Sequence, residues 1–377
     1  MASQTNLSIF FTFLVIFNSL FLPPLSSSAT LISLCSPNAI YNLGDSISDT
    51  GNLIRETTSP AASVFAHLPY GISFFRNQPT GRCSNGLLMI DYFALSLRLP
   101  LLNPYLEKDS DFSHGVNFAV AGSTALDSSF LAENNINSPV TNSSLSIQLD
   151  WLKSHLNSTC YTECEEKLTR SIFLVGEIGG NDYNYAFFQG KTMEELQQSL
   201  VPHVVQSIKT TVTEVIKLGA TRVVVPGNFP IGCFPIYLTA FQTNDTTAYD
   251  EFKCLKGLNN FAMFHNDQLQ QALQQLRNQY PNVDIVYADY YNAFKWVFDK
   301  APLLGFDMAS LQKACCGSGG GQYNFDLRNI CGAPEVTVCP IPETHISWDG
   351  IHLTEKAYKS MVNWLIRDLT TKLKCLF

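Results

Sequence analysis

Short apolar runs alternating with amphipathic helical stretches predict an α/β chain, folded as a three-layer α/β/α sandwich around a five-stranded parallel sheet. Two observations carry this. The runs at 39–43, 116–120, 171–175, 222–225 and 284–288 are short and almost continuously apolar, the pattern of strands covered on both faces. Between them lie segments with apolar residues three and four apart, which supply the crossover helices that parallel strands need. A third feature locates the chemistry: the first run stops at Gly44-Asp45-Ser46, so a serine is delivered to the carboxyl edge of a strand. Five strands suit a flavodoxin-like order.

The elements follow in chain order. Leu7 to Leu22 is apolar, is followed by Pro23 and Pro24, and leads to small residues at Ser27 and Ala29. This reads as a secretory leader over 1–29 rather than a membrane span, with one domain over 30–377. The segment before the apolar run has no Lys or Arg. Asn85 to Leu97 has helical spacing and stops before Pro100; a second helix is expected around Leu145 to Leu156. Thr192 to Glu195 forms a capping box that opens a long helix, bent near Pro202 and ended by Gly219. Further helices are expected from about Asn259 to Tyr280 and from about Thr354 to Lys372.

Composition narrows the function. With 377 residues, 46% hydrophobic and 15% charged, the chain can bury a large core. A net charge of -8 with no basic cluster excludes a nucleic-acid partner, and no solenoid repeat is present. The sequons at Asn142, Asn157 and Asn244 agree with passage through the secretory pathway, to the outside or to a vacuole. Eleven cysteines are present, and in an oxidising compartment most pair while the odd count leaves one over. Local spacing suggests Cys160 with Cys164, Cys331 with Cys339, and Cys233 with Cys254; Cys35, Cys83, Cys315, Cys316 and Cys375 are left unassigned. No CxxC…CxxC pattern marks a zinc site, so no metal or cofactor is expected.

In an open α/β sheet the ligand site lies outside the carboxyl ends of the strands. Ser46 follows the first strand, Gly122 the second and Asn181 the third, so all three can meet at one edge. An isolated Gly-Asp-Ser is most often a turn or helix cap. Ser46 as a nucleophile needs a base, and histidine with a carboxylate partner is the natural choice. Asp-x-x-His occurs twice, at Asp111 to His114 and at Asp349 to His352. His114 precedes the second strand, at the amino edge, whereas His352 follows the last crossover and can reach the carboxyl edge; His345 is the alternative base. A tetrahedral oxyanion would find donors in the backbone N–H groups of Ser46 and Gly122 and the Asn181 amide, aided by any helix that starts near Ser46.

The ordered stretches YNLGDSISDTGNL (41–53), GVNFAVAGSTALDSSFL (115–131), GEIGGNDYNYAF (176–187), YADYYNAF (287–294) and WDGIHLTEKAY (348–358) resemble the plant GDSL esterase/lipase family of the SGNH hydrolase superfamily. The likeness spans nearly the whole chain after the leader and is strongest to the subgroup of acetylajmalan and sinapine esterases. Leu43 stands where many members have Phe, which affects packing behind the turn and not the chemistry. The resemblance implies a secreted serine esterase with Ser46, His352 and Asp349 as the triad and Ser46, Gly122 and Asn181 as oxyanion donors. It also implies a small-molecule ester substrate, such as an acetyl ester of an alkaloid, and a monomer without a stable membrane anchor. An acyltransferase or a lipase on longer chains would use the same residues.

Other readings fit less well. A two-metal phosphoesterase would need Asp-x-His and Gly-His-x-His, which are missing. The glycines at 317 and 319–321 lack the Lys-Ser/Thr of a phosphate cradle, and a disulfide-framed loop is the simpler reading. A non-catalytic ligand-binding relative would not be expected to keep every catalytic position. Tyr183, Tyr185, Phe187 and Phe188 follow Asn181 and are either core or the wall of an apolar substrate pocket. An imidazole base implies a rate that falls on acidification.

Overall fold

The computed structural model describes residues 37–56, 63–159 and 164–373. The leader, Cys35, Cys160 and Cys375 lie outside the described residues. Five parallel strands, β1 (Ala39–Leu43), β2 (Gly115–Asn117), β3 (Ser171–Val175), β4 (Arg222–Pro226) and β5 (Asp284–Ala288), form one sheet in the order β2-β1-β3-β4-β5. β1 lies between β2 and β3 and pairs with β3 in the register Ala39↔Ser171 to Leu43↔Val175. The chain steps from β1 to one side and returns on the other, so a crevice opens between the ends of β1 and β3. The sheet is buried on both faces, as the uninterrupted apolar runs require.

Besides three short helices at Leu53–Glu56, Ser128–Glu133 and Cys164–Thr169, the helices are α1 (Met89–Ser96), α2 (Leu145–Thr159), α3 (Gly180–Phe188), α4 (Met193–Ser199), α5 (Val201–Lys217), α6 (Pro235–Ala240), α7 (Lys256–Gln279), α8 (Tyr290–Asp299) and α9 (Glu355–Lys372). α2, α5 and α7 pack on one another to cover one face of the sheet, and α1, α8 and α9 cover the other. α5 buries Val201, Val204, Val205, Ile208, Val212 and Val215, the helical spacing that a one-sided core contact requires. The expected bent helix is two helices. Leu200 both ends α4 and caps α5, which places Pro202 in the first turn of α5, where its missing N–H leaves no bond unmade.

β2 is shorter than expected, ending at Asn117 rather than Val120. The amide of Asn52 donates to the carbonyls of Asn117 and Ala119, and this side-chain contact draws the chain out of the ladder. Phe118 and Val120 still donate to the carbonyls of Asn42 on β1 and of Gly44 just after it, so the segment stays against the sheet.

The cysteine loop corrects one expectation. Cys331 does not pair with Cys339: the bonds are Cys316–Cys331 and Cys315–Cys339, alongside the expected Cys233–Cys254. The reason is local. Cys316 sits on β6 (Cys316–Gly317), which pairs antiparallel with β7 (Thr337–Val338), and successive side chains on an extended chain point to opposite faces. The two adjacent sulfurs therefore reach different partners. Cys164 is disulfide-bonded, with its expected partner outside the described residues, and Cys83 is a free, buried thiol. Cys315, Cys339 and His345 come close enough to hold a metal ion, but the two sulfurs are bonded to each other. Peptide mapping without reduction should recover Cys315 linked to Cys339 and Cys316 linked to Cys331; a Cys331–Cys339 peptide would contradict this pairing.

Candidate active site

The turn after β1 is held from several sides. Gly44 donates its N–H to Gln148 Oε1 at 2.8 Å, and its carbonyl accepts from Gln148 Nε2 at 2.8 Å, so one buried amide on α2 clamps both ends of this residue. A side chain at Gly44 would press within 2.7 Å of Ser48 Oγ and 3.1 Å of the Glu177 carbonyl, which is why the position excludes a Cβ. Asp45 then donates its N–H to the Glu177 carbonyl, and its carboxyl accepts from Ile47 N–H at 2.9 Å. No helix begins at Ser46, so no helix dipole acts there. A single helical turn closes on the Asp45 carbonyl through the N–H groups of Ser48 and Asp49.

Asp49 fixes the rest of the motif. Its carboxylate accepts from the N–H groups of Gly51, Asn52, Leu53 and Ala121, which joins the β1 turn to the segment after β2. Burial pushes this carboxyl up, and the four N–H bonds pull it back towards ionisation.

Asp349 and His352 come from a tight turn ahead of α9. Asp349 Oδ1 accepts the N–H groups of Ile351 at 3.0 Å and His352 at 2.7 Å. A spacing of three residues is what lets the carboxylate fold back onto its own turn while Oδ2 reaches His352 Nδ1 at 2.7 Å. His352 Nε2 in turn lies 2.8 Å from Ser46 Oγ. Burial pushes the Asp349 carboxyl up, but His352 and the two backbone donors bring it net below its ordinary value. With Asp349 ionised, Nδ1 carries the hydrogen and Nε2 accepts from the serine. The three side chains thus form one buried hydrogen-bonded line, with relative exposures of 7%, 4% and 5% for Ser46, His352 and Asp349.

Beside that line lie three groups of donors. The N–H groups of Ser46 and Gly122 donate to no protein acceptor among the described residues. Gly122 takes φ +83, and a Cβ there would meet Val140 Cγ1 at 2.4 Å and Tyr185 Oη at 3.2 Å. Asn181 Nδ2 donates to the Ser123 carbonyl at 3.0 Å and, more loosely, to Asp45 Oδ2 at 3.3 Å. Asp182 accepts from the N–H groups of Ala125 and Leu126, which anchors α3 to the same loop that carries Gly122.

The remaining expectations sort themselves by position. His114 and Asp111 are exposed at the amino edge, where His114 Nδ1 meets the Asn38 carbonyl. His345 lies beside Thr344 Oγ1 at 3.0 Å, and it is His352 that meets the serine. Tyr183 and Phe187 are core, whereas Tyr185 donates to the Gly122 carbonyl and Phe188 is exposed. Asn142, Asn157 and Asn244 are all exposed. Sequence reasoning missed Gln148, whose only signal was a polar residue on the apolar face of α2, and Tyr70, which donates to Asp349 and stands in no quoted motif.

Comparison with known proteins places this geometry. The family described as GDSL-like Lipase/Acylhydrolase matches residues 40–365. The chain belongs to that family. Among its relatives are acetylajmalan esterase 1 and acetylajmalan esterase of Rauvolfia serpentina. They are 45% and 46% identical, each over 91% of this chain, and the matches cover 89% and 88% of those proteins. A GDSL esterase/lipase of Arabidopsis thaliana is 48% identical over 90% of this chain and 92% of its own length. As a member of the GDSL family with esterases at this identity, the chain is a carboxylic ester hydrolase. Among the described residues, no helix is long and apolar enough to cross a membrane.

Two predictions follow from the site's surroundings. Gln148→Leu strands the Gly44 N–H without an acceptor, at a cost of about 1–3 kcal/mol, and should lower the melting temperature by about 2–6 °C. The second concerns pH. Burial pushes the carboxyls of Asp45 and Asp182 up to about 7, and Glu177 also rises. Groups raised in this way stabilise the fold below their unfolded values and lose that contribution as pH climbs through about 7. Buried His265 and His155, lowered to about 4, act in the opposite sense: their contribution is lost as pH falls from 6.5 towards 4. The carboxyls outnumber the histidines, so the melting temperature should be higher at pH 5.5 than at pH 8, by roughly 2–5 °C. Calorimetry across that range checks the sign.

Proposed function

We propose that this protein hydrolyses a carboxylic ester through an acyl-serine intermediate. Ser46 Oγ attacks the acyl carbon while His352 Nε2 takes its proton. Asp349 holds His352 in the required tautomer and stabilises the imidazolium. The tetrahedral oxyanion is received by the N–H groups of Ser46 and Gly122 and by Asn181 Nδ2, which exchanges its long bond to Asp45 for the new charge; each donor contributes about 3 kcal/mol. His352 then returns the proton to the departing alcohol, and water repeats the sequence to free the acid. One observation carries this reading: the continuous chain from Ser46 Oγ through His352 to Asp349, with steps of 2.8 and 2.7 Å.

The substrate we propose is a short acyl ester, above all an acetyl ester, of a plant specialised metabolite such as an alkaloid. Support comes from the acetylajmalan esterases among the relatives. We further propose entry into the secretory pathway, with residues 1–29 as a leader, glycans on Asn142, Asn157 and Asn244, and delivery to the apoplast or vacuole. The disulfides are bonds that persist in an oxidising compartment, and the sequons are open to solvent.

Ser46→Ala should abolish ester turnover, by roughly a thousandfold or more, while leaving the melting temperature unchanged. A fluorophosphonate should label Ser46 in the wild type and nothing in that variant, and the rate should fall on acidification. Turnover that survives Ser46→Ala would overturn the assignment. Screening acetyl, choline, methyl and long-chain esters tests the substrate, and a preference for long acyl chains would refute the acetyl ester.

A further inference from the structure

Tyr70 is buried and donates its phenolic hydrogen to Asp349 Oδ2 at 2.9 Å, the same oxygen that receives His352 Nδ1–H at 2.7 Å. Oδ1 already receives the N–H groups of Ile351 and His352. A carboxylate has about four acceptor positions, so Tyr70 fills the last of them. Without it, Oδ2 would keep a buried lone pair with no donor, and three donors instead of four would hold the carboxylate.

The setting of Tyr70 is built for that contact. Tyr70 N–H donates to the His67 carbonyl, and the following residues are tied down through Gly71 N–H to Ser84 and Ser73 N–H to Asn85. Its ring meets Trp348 edge-on at 6.3 Å and Phe65 at 5.0 Å, while Phe65 sets its own edge to the His352 ring at 5.9 Å. Tyr70 and Trp348 also share a small separate core with Cys315, Cys316 and Cys331. The two neighbouring disulfides therefore form the floor on which the tyrosine rests.

We propose that Tyr70 is a positioning residue of the hydrolytic site, acting through Asp349, and that the disulfide-bonded segment 315–339 serves to hold it there. The inference rests on the Ser46–His352–Asp349 reading above. Tyr70 has two effects. It fixes the carboxylate plane so that Oδ2 faces Nδ1, and it draws negative charge from Oδ2, which weakens the hold of Asp349 on the imidazolium proton. The other titratable groups that face this pair are Asp45 on the turn after β1, Cys83 ahead of α1, which also interacts with Tyr70, and Tyr358 on α9.

Tyr70→Phe removes only the donor. It should cut kcat about tenfold with KM nearly unchanged, and shift the acidic limb of kcat/KM to higher pH by about 0.5 unit, because a more basic carboxylate holds the imidazolium proton longer. In an Asp349→Asn background the same substitution should have almost no effect on kcat. Site-specific 3-fluorotyrosine at position 70, a stronger donor of nearly the same size, should move the acidic limb the opposite way, and it gives the answer even if Tyr70→Phe does not fold. An acidic limb unmoved by either change, or a loss that persists in full without Asp349, would reduce Tyr70 to a packing role. That result would stand apart from failure of the triad itself, which Ser46→Ala reports separately.

Discussion

The site depends on how one peptide segment leaves an interior strand of the sheet, β1. Gly44 ends β1 with its N–H and carbonyl both bound by Gln148, so the backbone that presents Ser46 is anchored to α2 as firmly as to the strand. From there Asp45 bonds to the backbone after β3, and Asp49 bonds to the backbone after β2. Three neighbouring strands are thereby tied together at their carboxyl ends, through buried hydrogen bonds that would each cost about 1–3 kcal/mol if left unmade. Precision at the serine is a property of this network and not of the serine.

The same network explains why the motif is nine residues long. Only Ser46 meets the histidine, while Asp49 and Asn52 spend their side chains on backbone groups of the second strand's loop. Asp182 plays the matching part for α3. These carboxyls are buried, and burial pushes Asp45 and Asp182 towards neutrality at mildly acidic pH. A neutral Asp45 would not oppose a developing oxyanion beside Asn181, whereas an ionised one would.

Much of this was legible in the sequence, because the signals were local or periodic. β3 and β5 have the expected bounds, since apolar runs report burial directly. The choice of His352 over His114 followed from which edge of a parallel sheet each could reach, and the two residues do lie at opposite edges. What sequence could not supply were contacts between distant segments whose residue types carry no distinctive pattern. Gln148 looks like one more polar helix residue, and Tyr70 like one more aromatic in a loop. The Cys331–Cys339 pairing was misread because spacing ignores the alternation of side chains as the chain enters β6, which sends Cys315 and Cys316 to different partners. The turn at Ser46 is the sharp turn that Gly-Asp-Ser after an apolar run implies.

That pair of adjacent cysteines bears on how the enzyme must be made. Exchange of partners between Cys315 and Cys316 joins the same four sulfurs and yields a chain of identical mass, yet it would turn each side chain into the space meant for its neighbour. The Trp348 core would lose its lining on one side. A preparation from a reducing host, oxidised afterwards without an isomerase, would be a mixture of such isomers, and mass alone would not tell the active fraction from the rest.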